Sequence, residues 1–114
     1  MKREALFCDG TANYVSPAEP MANETVKLWF RTAANDAEYV FLLVNGEGHT
    51  LKKEKTSGLF DYYATEWKLG EELFKYSFMV QNKEEVLYYN QCGVFSEERR
   101  GYEFEIMPGF STPD

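Results

Sequence analysis

The feature that most constrains this chain is a two-residue hydrophobic period that returns along most of its length. At residues 25–32 the sequence TVKLWFRT sets Val26, Leu28 and Phe30 on one side and Lys27, Trp29 and Arg31 on the other. At 73–81, Phe74, Tyr76, Phe78 and Val80 share a side opposite Lys75, Ser77 and Gln81. At 102–107, Tyr102, Phe104 and Ile106 alternate with Glu103 and Glu105. Successive side chains of a strand point to opposite faces, whereas a helix repeats its apolar positions every three or four residues. The alternation therefore predicts strands with one buried and one wet face.

Other segments read as strands on different grounds. Tyr39–Val44 is continuously apolar and β-rich, the pattern of a central strand covered on both faces. Residues 60–68 are long and rich in aromatics and Thr, and 85–89 are expected to form a hairpin with the preceding strand across 81–84. Residues 4–8 read as a short first strand. The lysines of a weak strand at 50–55 fit an edge or a loop. Asp9-Gly10, Ser16-Pro17, Asn35-Asp36, Asn45-Gly46, Ser57-Gly58 and Pro108-Gly109 punctuate the runs as turns, and Gly70 argues against a helix over 66–72. Seven or eight strands at roughly ten-residue spacing predict an all-β chain folded as an antiparallel β-sandwich. With 114 residues there is room for one domain, placed at 1–107, with 108–114 read as a linker.

Composition narrows the function. Nine Phe, eight Tyr and two Trp supply a core and leave rings for the surface. A net charge of −7 argues against a nucleic-acid partner, since backbone binding needs clustered cations. Arg99-Arg100 is a short basic pair, and Glu97 and Glu98 precede it. The longest apolar run is Tyr39–Val44, far too short for a membrane helix. Met1-Lys2-Arg3-Glu4 lacks the long apolar stretch of a signal peptide, which leads to the expectation of a cytoplasmic protein. Cys8 and Cys92 are expected to be thiols rather than a staple. Neither they nor the lone His49 fit a zinc spacing. Asp9, Asn13 and Asp36 offer oxygens without the regular spacing of a calcium loop, so no metal and no cofactor is expected.

Catalytic patterns are lacking. No Ser sits in a nucleophile elbow, and neither Cys has a nucleophile's context. Asn45-Gly46-Glu47-Gly48 reads as a turn rather than a phosphate cradle, with His49 in the loop after it. Most acids sit beside lysines or alternate with core aromatics, as on solvated sheet faces. Outward aromatic rings remain, and they suit stacking on the apolar faces of sugars. Trp29 lies on the Lys27 and Arg31 side of its strand, with packing under a loop or against a partner chain as the alternative. Tyr62/Tyr63 and Tyr88/Tyr89 are adjacent pairs, so one ring of each faces out. Tyr62 and Tyr89 are taken with Trp29 as carbohydrate-binding candidates. Phe7, Phe30, Phe74, Tyr76, Phe78, Tyr102 and Phe104 are assigned to the core, together with Trp67.

The series of segments also resembles a known family. Glu4-Ala5-Leu6-Phe7, TVKLWFRT at 25–32, Leu59-Phe60-Asp61-Tyr62-Tyr63, Phe74-Lys75-Tyr76-Ser77-Phe78, Tyr88-Tyr89 and Gly93-Val94-Phe95-Ser96 follow one another in its order. The family is the N-terminal domain of the neopullulanase, cyclomaltodextrinase and maltogenic amylase group of glycoside hydrolase family 13, classed as a starch-binding module. The resemblance implies an immunoglobulin-like sandwich ahead of a (β/α)8 catalytic domain, so that the catalytic acids lie outside this chain. It implies α-glucans or cyclodextrins, the enzyme's own catalytic domain and a homodimer as partners. It also places an active-site edge in the loop at 45–50, with Asn45 and His49 as its candidates. Trp29 stands where relatives often carry a basic residue, so its sugar role rests on the strand pattern. The competing readings are a structural or dimerisation domain without sugar affinity, and a free-standing immunoglobulin-like receptor domain. Cys8 and Cys92 lack the inter-sheet spacing usual in the latter.

Overall fold

The computed structural model describes residues 1–8, 13–17, 19–98 and 101–109. Within them, ten strands form two antiparallel sheets: β1 (Val15–Ser16), β2 (Thr25–Ala33), β3 (Tyr39–Val44), β4 (Glu47–Thr50), β5 (Lys52–Ser57), β6 (Phe60–Lys68), β7 (Phe74–Gln81), β8 (Val86–Asn90), β9 (Gly93–Phe95) and β10 (Phe104–Ile106). One sheet has the order β1-β2-β6-β5. The other runs β4-β3-β7-β8-β9, with β10 on β7. No helix among the described residues is long and apolar enough to cross a membrane.

The alternation seen in the sequence is the fold's organising device. Val26, Leu28 and Phe30 of β2 and Phe78 and Val80 of β7 are fully buried, with Phe74 and Tyr76 nearly so. The two sheets meet through rings. Phe30 packs on Phe78 at 4.8 Å and edge-on to Tyr89 at 5.3 Å, while Trp67 of β6 stacks on Phe74 of β7 at 5.4 Å. Such contacts add about 0.5–1.5 kcal/mol each beyond the area they bury. At the β3–β4 turn, Asn45 (φ 53) and Gly46 (φ 83) both take left-handed backbone, the two-residue hairpin geometry that an Asn-Gly pair adopts at low cost.

Several expectations need correction. Residues 4–8 are not a strand: Arg3–Ala5 is a single 3-10 turn, and the chain touches the sheet at one bridge, Phe7 to Arg31. Adjacent Ala5 and Leu6 are both buried, which a strand's alternation does not allow. The weak strand at 50–55 is two edge strands in different sheets. Buried Leu51 is the crossing point and donates its N–H to Val40 O at 2.8 Å. β3 is central by pairing but not covered on both faces: Val40 and Leu42 point inward, while Tyr39 is 52% exposed. Tyr102 is exposed rather than core, because the last strand starts only at Phe104 and the Tyr102 carbonyl is taken by the Gln91 N–H. Phe7 and Trp67 are half-buried and packed against the core from its rim. Two short strands, β1 and β9, raise the count above seven or eight, since two or three residues are too few to show a period.

The segment read as a linker begins inside the fold. Pro108 is buried, and Gly109 exchanges hydrogen bonds with Pro20 O (2.9 Å) and the Ala22 N–H (2.7 Å). Residues 110–114, the Asp9-Gly10 turn and Arg99-Arg100 lie outside the described residues.

Candidate functional site

The outer face of the four-stranded sheet gathers the outward side chains of β2, β6 and β5. Register places Trp29 opposite Ala64 and Arg31 opposite Tyr62, while Ala64 and Tyr62 face Lys52 and Lys55 on the other side. The pairing shifts between Lys53 and Lys55, so Glu54 is an extra residue in β5. A bulge of this kind re-aims a side chain. Here it turns Glu54 across the sheet to Lys27, which it meets at 2.5 Å. The Lys27 hydrogen bond holds the Glu54 carboxyl below the usual range, with the Trp29 indole N–H as a weaker contributor.

Cations lie over the rings of this face. Lys27 Nζ is 5.1 Å from the Trp29 ring centroid and Lys55 Nζ is 5.1 Å from that of Tyr62. Arg31 sits between Phe60 (4.2 Å) and Phe7 (5.2 Å), and its Nε donates to Ala5 O at 3.1 Å. Trp29 and Tyr62 are half-buried and border one open depression with Asn13, Tyr14, Glu54 and Lys55. Flat rings flanked by a carboxylate, an amide and an ammonium group suit a ligand with apolar faces and hydroxyl edges. An exposed cation–π contact is worth only about 0.5–1 kcal/mol, so a ligand can displace the lysine caps at small cost.

The structure brings Trp29 and Tyr62 together and keeps the other candidates apart. Tyr89 is a correction: it is 9% exposed, with its ring against Phe30 and Phe104 and its hydroxyl donating to Cys8 O at 3.4 Å. The cause is register. Tyr89 pairs with inward Phe78, so Tyr88, paired with Met79, is the outward member. His49 is in β4 and not in a loop. It pairs with inward Leu42, and its ring meets the Trp67 ring edge-on at 4.8 Å, closing the rim between the sheets. Asn45 is exposed at the β3–β4 turn, where its positive φ accounts for the residue. Cys8 is buried and Cys92 exposed. Among the described residues no three His, Cys, Asp or Glu side chains gather where a metal ion could be held.

Sequence reasoning missed Glu54, Lys55 and Asn13 as neighbours of the rings. The bulge that aims Glu54 leaves no mark in the KKEK run. The one legible signal was Lys27 beside Trp29 on the outward side of its strand. It also missed Asp61, the exception among acids read as solvated. Asp61 is 1% exposed and accepts hydrogen bonds from Thr56 Oγ1 (2.5 Å) and the Asn35 N–H (2.9 Å), with Lys53 Nζ at 3.6 Å. Burial works against its charge, but the Thr56 and Asn35 hydrogen bonds and the Lys53 charge outweigh it and hold the carboxyl below the usual range. Both of its oxygens are engaged, which makes it a fastener of the β5–β6 hairpin to the turn after β2.

Two antiparallel sheets with Greek-key-like order and an aromatic outer face define the chain as an immunoglobulin-like β-sandwich domain. Comparison with known proteins gives the family. Residues 1–108 match the family described as "Alpha amylase, N-terminal ig-like domain", and the chain belongs to that family. It is 30% identical over 105 residues to a cyclomaltodextrinase of Thermoanaerobacter pseudethanolicus, with 85% of this chain aligned to 18% of that protein. A cyclomaltodextrinase of Geobacillus thermopakistaniensis is 30% identical over 108 residues, with the same coverage. The chain thus spans less than a fifth of the length of these relatives. Its fold is similar to part of a solved cyclomaltodextrinase, with TM-score 0.80 and 24% identity over 94% of this chain and 20% of that one. It is also similar to part of a maltogenic amylase from S. marinus, with TM-score 0.71 and 11% identity over 93% of this chain and 15% of that one.

Proposed function

We propose that this chain is the accessory N-terminal domain of an alpha-amylase-family glycoside hydrolase and that the Trp29–Tyr62 face contacts α-glucans or cyclodextrins. The observation that carries the reading is the pair of outward rings bordering one depression with Glu54, Asn13 and Lys55. Family membership and the length of the named relatives support a larger enzyme around it. The rings take the apolar face of a glucose unit, and the polar groups take its hydroxyls. The lysines over the rings move aside, so binding is weak, with Kd of about 1 mM, equivalent to roughly 4 kcal/mol.

Titrating maltoheptaose or β-cyclodextrin while following tryptophan fluorescence tests this, with Trp67→Phe used to isolate the Trp29 signal. A saturable change that Trp29→Ala abolishes supports the reading. A flat titration of the folded domain, up to about tenfold the expected Kd, removes direct binding. A second reading, assembly without sugar affinity, is favoured by the row Phe41, Met79, Tyr88 and Phe95 on the outer face of the other sheet.

A further inference from the structure

Two depressions open side by side on the outer face of the four-stranded sheet. The first is the one bordered by Trp29, Tyr62 and Lys55. The second is bordered by Thr50, Lys52, Thr65 and Glu66. Glu54 borders both, because the β5 bulge turns its carboxylate across the sheet to Lys27. Ala64 lies between them: the register row runs Trp29, Ala64, Lys52, and Ala64 also lines the second depression. A methyl group at this position leaves the row low between the Trp29 ring and Lys52. Tyr62 pairs with Arg31 and Glu66 with Lys27, four residues further along β6. At 3.2–3.4 Å per residue the joined strip is about 13 Å long, which exceeds a single hexose ring. Its two halves differ in chemistry. The rings of the first suit the apolar face of a sugar. The second has no ring among its described residues and offers hydroxyl, ammonium and carboxylate groups, which exchange hydrogen bonds with hydroxyls.

We infer that this strip selects a linear α-glucan chain over a single sugar or a disaccharide, an inference that rests on the Trp29–Tyr62 reading. One unit stacks on the Trp29 ring, the chain passes over Ala64, and the following units hydrogen-bond along the second depression. Glu54 is the specificity-determining residue at the junction. An ionised carboxylate has about four acceptor sites, so the Lys27 bridge leaves it able to accept from hydroxyls on either side. Two weak subsites on one ligand reinforce each other, because binding at the first raises the local concentration of sugar at the second. A ligand confined to the ring gains nothing from this. The residues that set the length preference are therefore Glu54, Ala64 and Lys52, beyond the two rings themselves.

Titrating this chain, with Trp67→Phe in place, against maltose and against maltotetraose tests the inference through Trp29 fluorescence. Maltotetraose is expected to bind at least about tenfold more tightly than maltose. Its overlapping disaccharides account for about threefold of that by number alone, so the excess reports the second depression. Ala64→Leu raises the low point of the row and should bring the ratio down to about threefold. Lys52→Ala, at an exposed position on the edge strand, removes one polar group without crowding the sheet and should lower the ratio about twofold. Circular dichroism melting shows whether each variant is folded, and Lys52→Ala alone decides if Ala64→Leu is not. A ratio lowered in either folded variant supports the inference. A wild-type ratio near threefold, or a larger one that the folded variants retain, overturns it and leaves glucan contact at Trp29 standing. No saturable response to either sugar removes that contact itself, and the inference with it.

Discussion

Asp61 offers the sharpest test of how the fold is held around the candidate face. Asp61→Asn keeps the side chain's shape and removes its charge. Two hydrogen bonds to the carboxylate, from Thr56 and the Asn35 amide, become neutral ones. Bonds to charged groups are worth about 1.5–3 kcal/mol each against about 1 kcal/mol for neutral ones, so the exchange of two costs roughly 1–4 kcal/mol. The Lys53 contact at 3.6 Å adds under about 1 kcal/mol because Lys53 is 45% exposed. A total near 2–3 kcal/mol lowers Tm by about 10 °C in a domain of this size. The pH dependence follows from the direction of the shift. Asp61 is held below its unfolded value of about 3.9, so its contribution is fully present above that value and fades as pH falls through the folded value. Urea unfolding of wild type and Asp61→Asn at about pH 7 and about pH 3 should show the gap narrowing in acid by about 1 kcal/mol. A gap equally large at both pH values, or below about 0.5 kcal/mol at neutral pH, refutes the assignment of a stabilising charge at this position.

The remaining predictions concern the core, a turn and the two faces. Phe78→Ala, at a fully buried position between Phe30, Tyr76 and Phe104, should cost about 3–5 kcal/mol in chemical unfolding. Gly46→Ala should cost about 1–2 kcal/mol in the same assay, because φ 83 is left-handed backbone. Lys27→Met removes the cap over Trp29 and the Glu54 bridge. Stability should change by under about 1 kcal/mol, while maltoheptaose binding by fluorescence strengthens as the ring is freed. Tyr89→Phe should lose at most about 1 kcal/mol with the Cys8 hydrogen bond and leave glucan binding unchanged.

The strands with strict alternation were legible because burial on one face forces a period of two on the side chains. TVKLWFRT named the buried Val26, Leu28 and Phe30 and the outward Trp29 without help from tertiary context. Residues 60–68 were likewise readable as β6 with its bounds. Adjacent tyrosines were not, because alternation says only that one ring faces in. Which one depends on the partner strand, and Phe78 settles it for Tyr89. Nor did local sequence show that Leu51 carries the chain from one sheet to the other, or that a bulge at Glu54 aims a carboxylate at Lys27. Both are decisions of register, made between segments far apart in the chain. Asp61 escaped notice for a related reason. Its partners Thr56 and Asn35 come from the hairpin and from a turn 26 residues away.

The central claim is that the Trp29–Tyr62 face meets an α-glucan. The most direct measurement is a ¹H–¹⁵N correlation spectrum of the domain titrated with maltoheptaose through about 1 mM and beyond. The account predicts saturable shifts at the Trp29 indole N–H and at the amides of Glu54, Lys55 and Tyr62, with Met79, Tyr88 and Tyr89 unmoved. A spectrum without shifts at that concentration, or shifts centred on the six-stranded sheet, would contradict it.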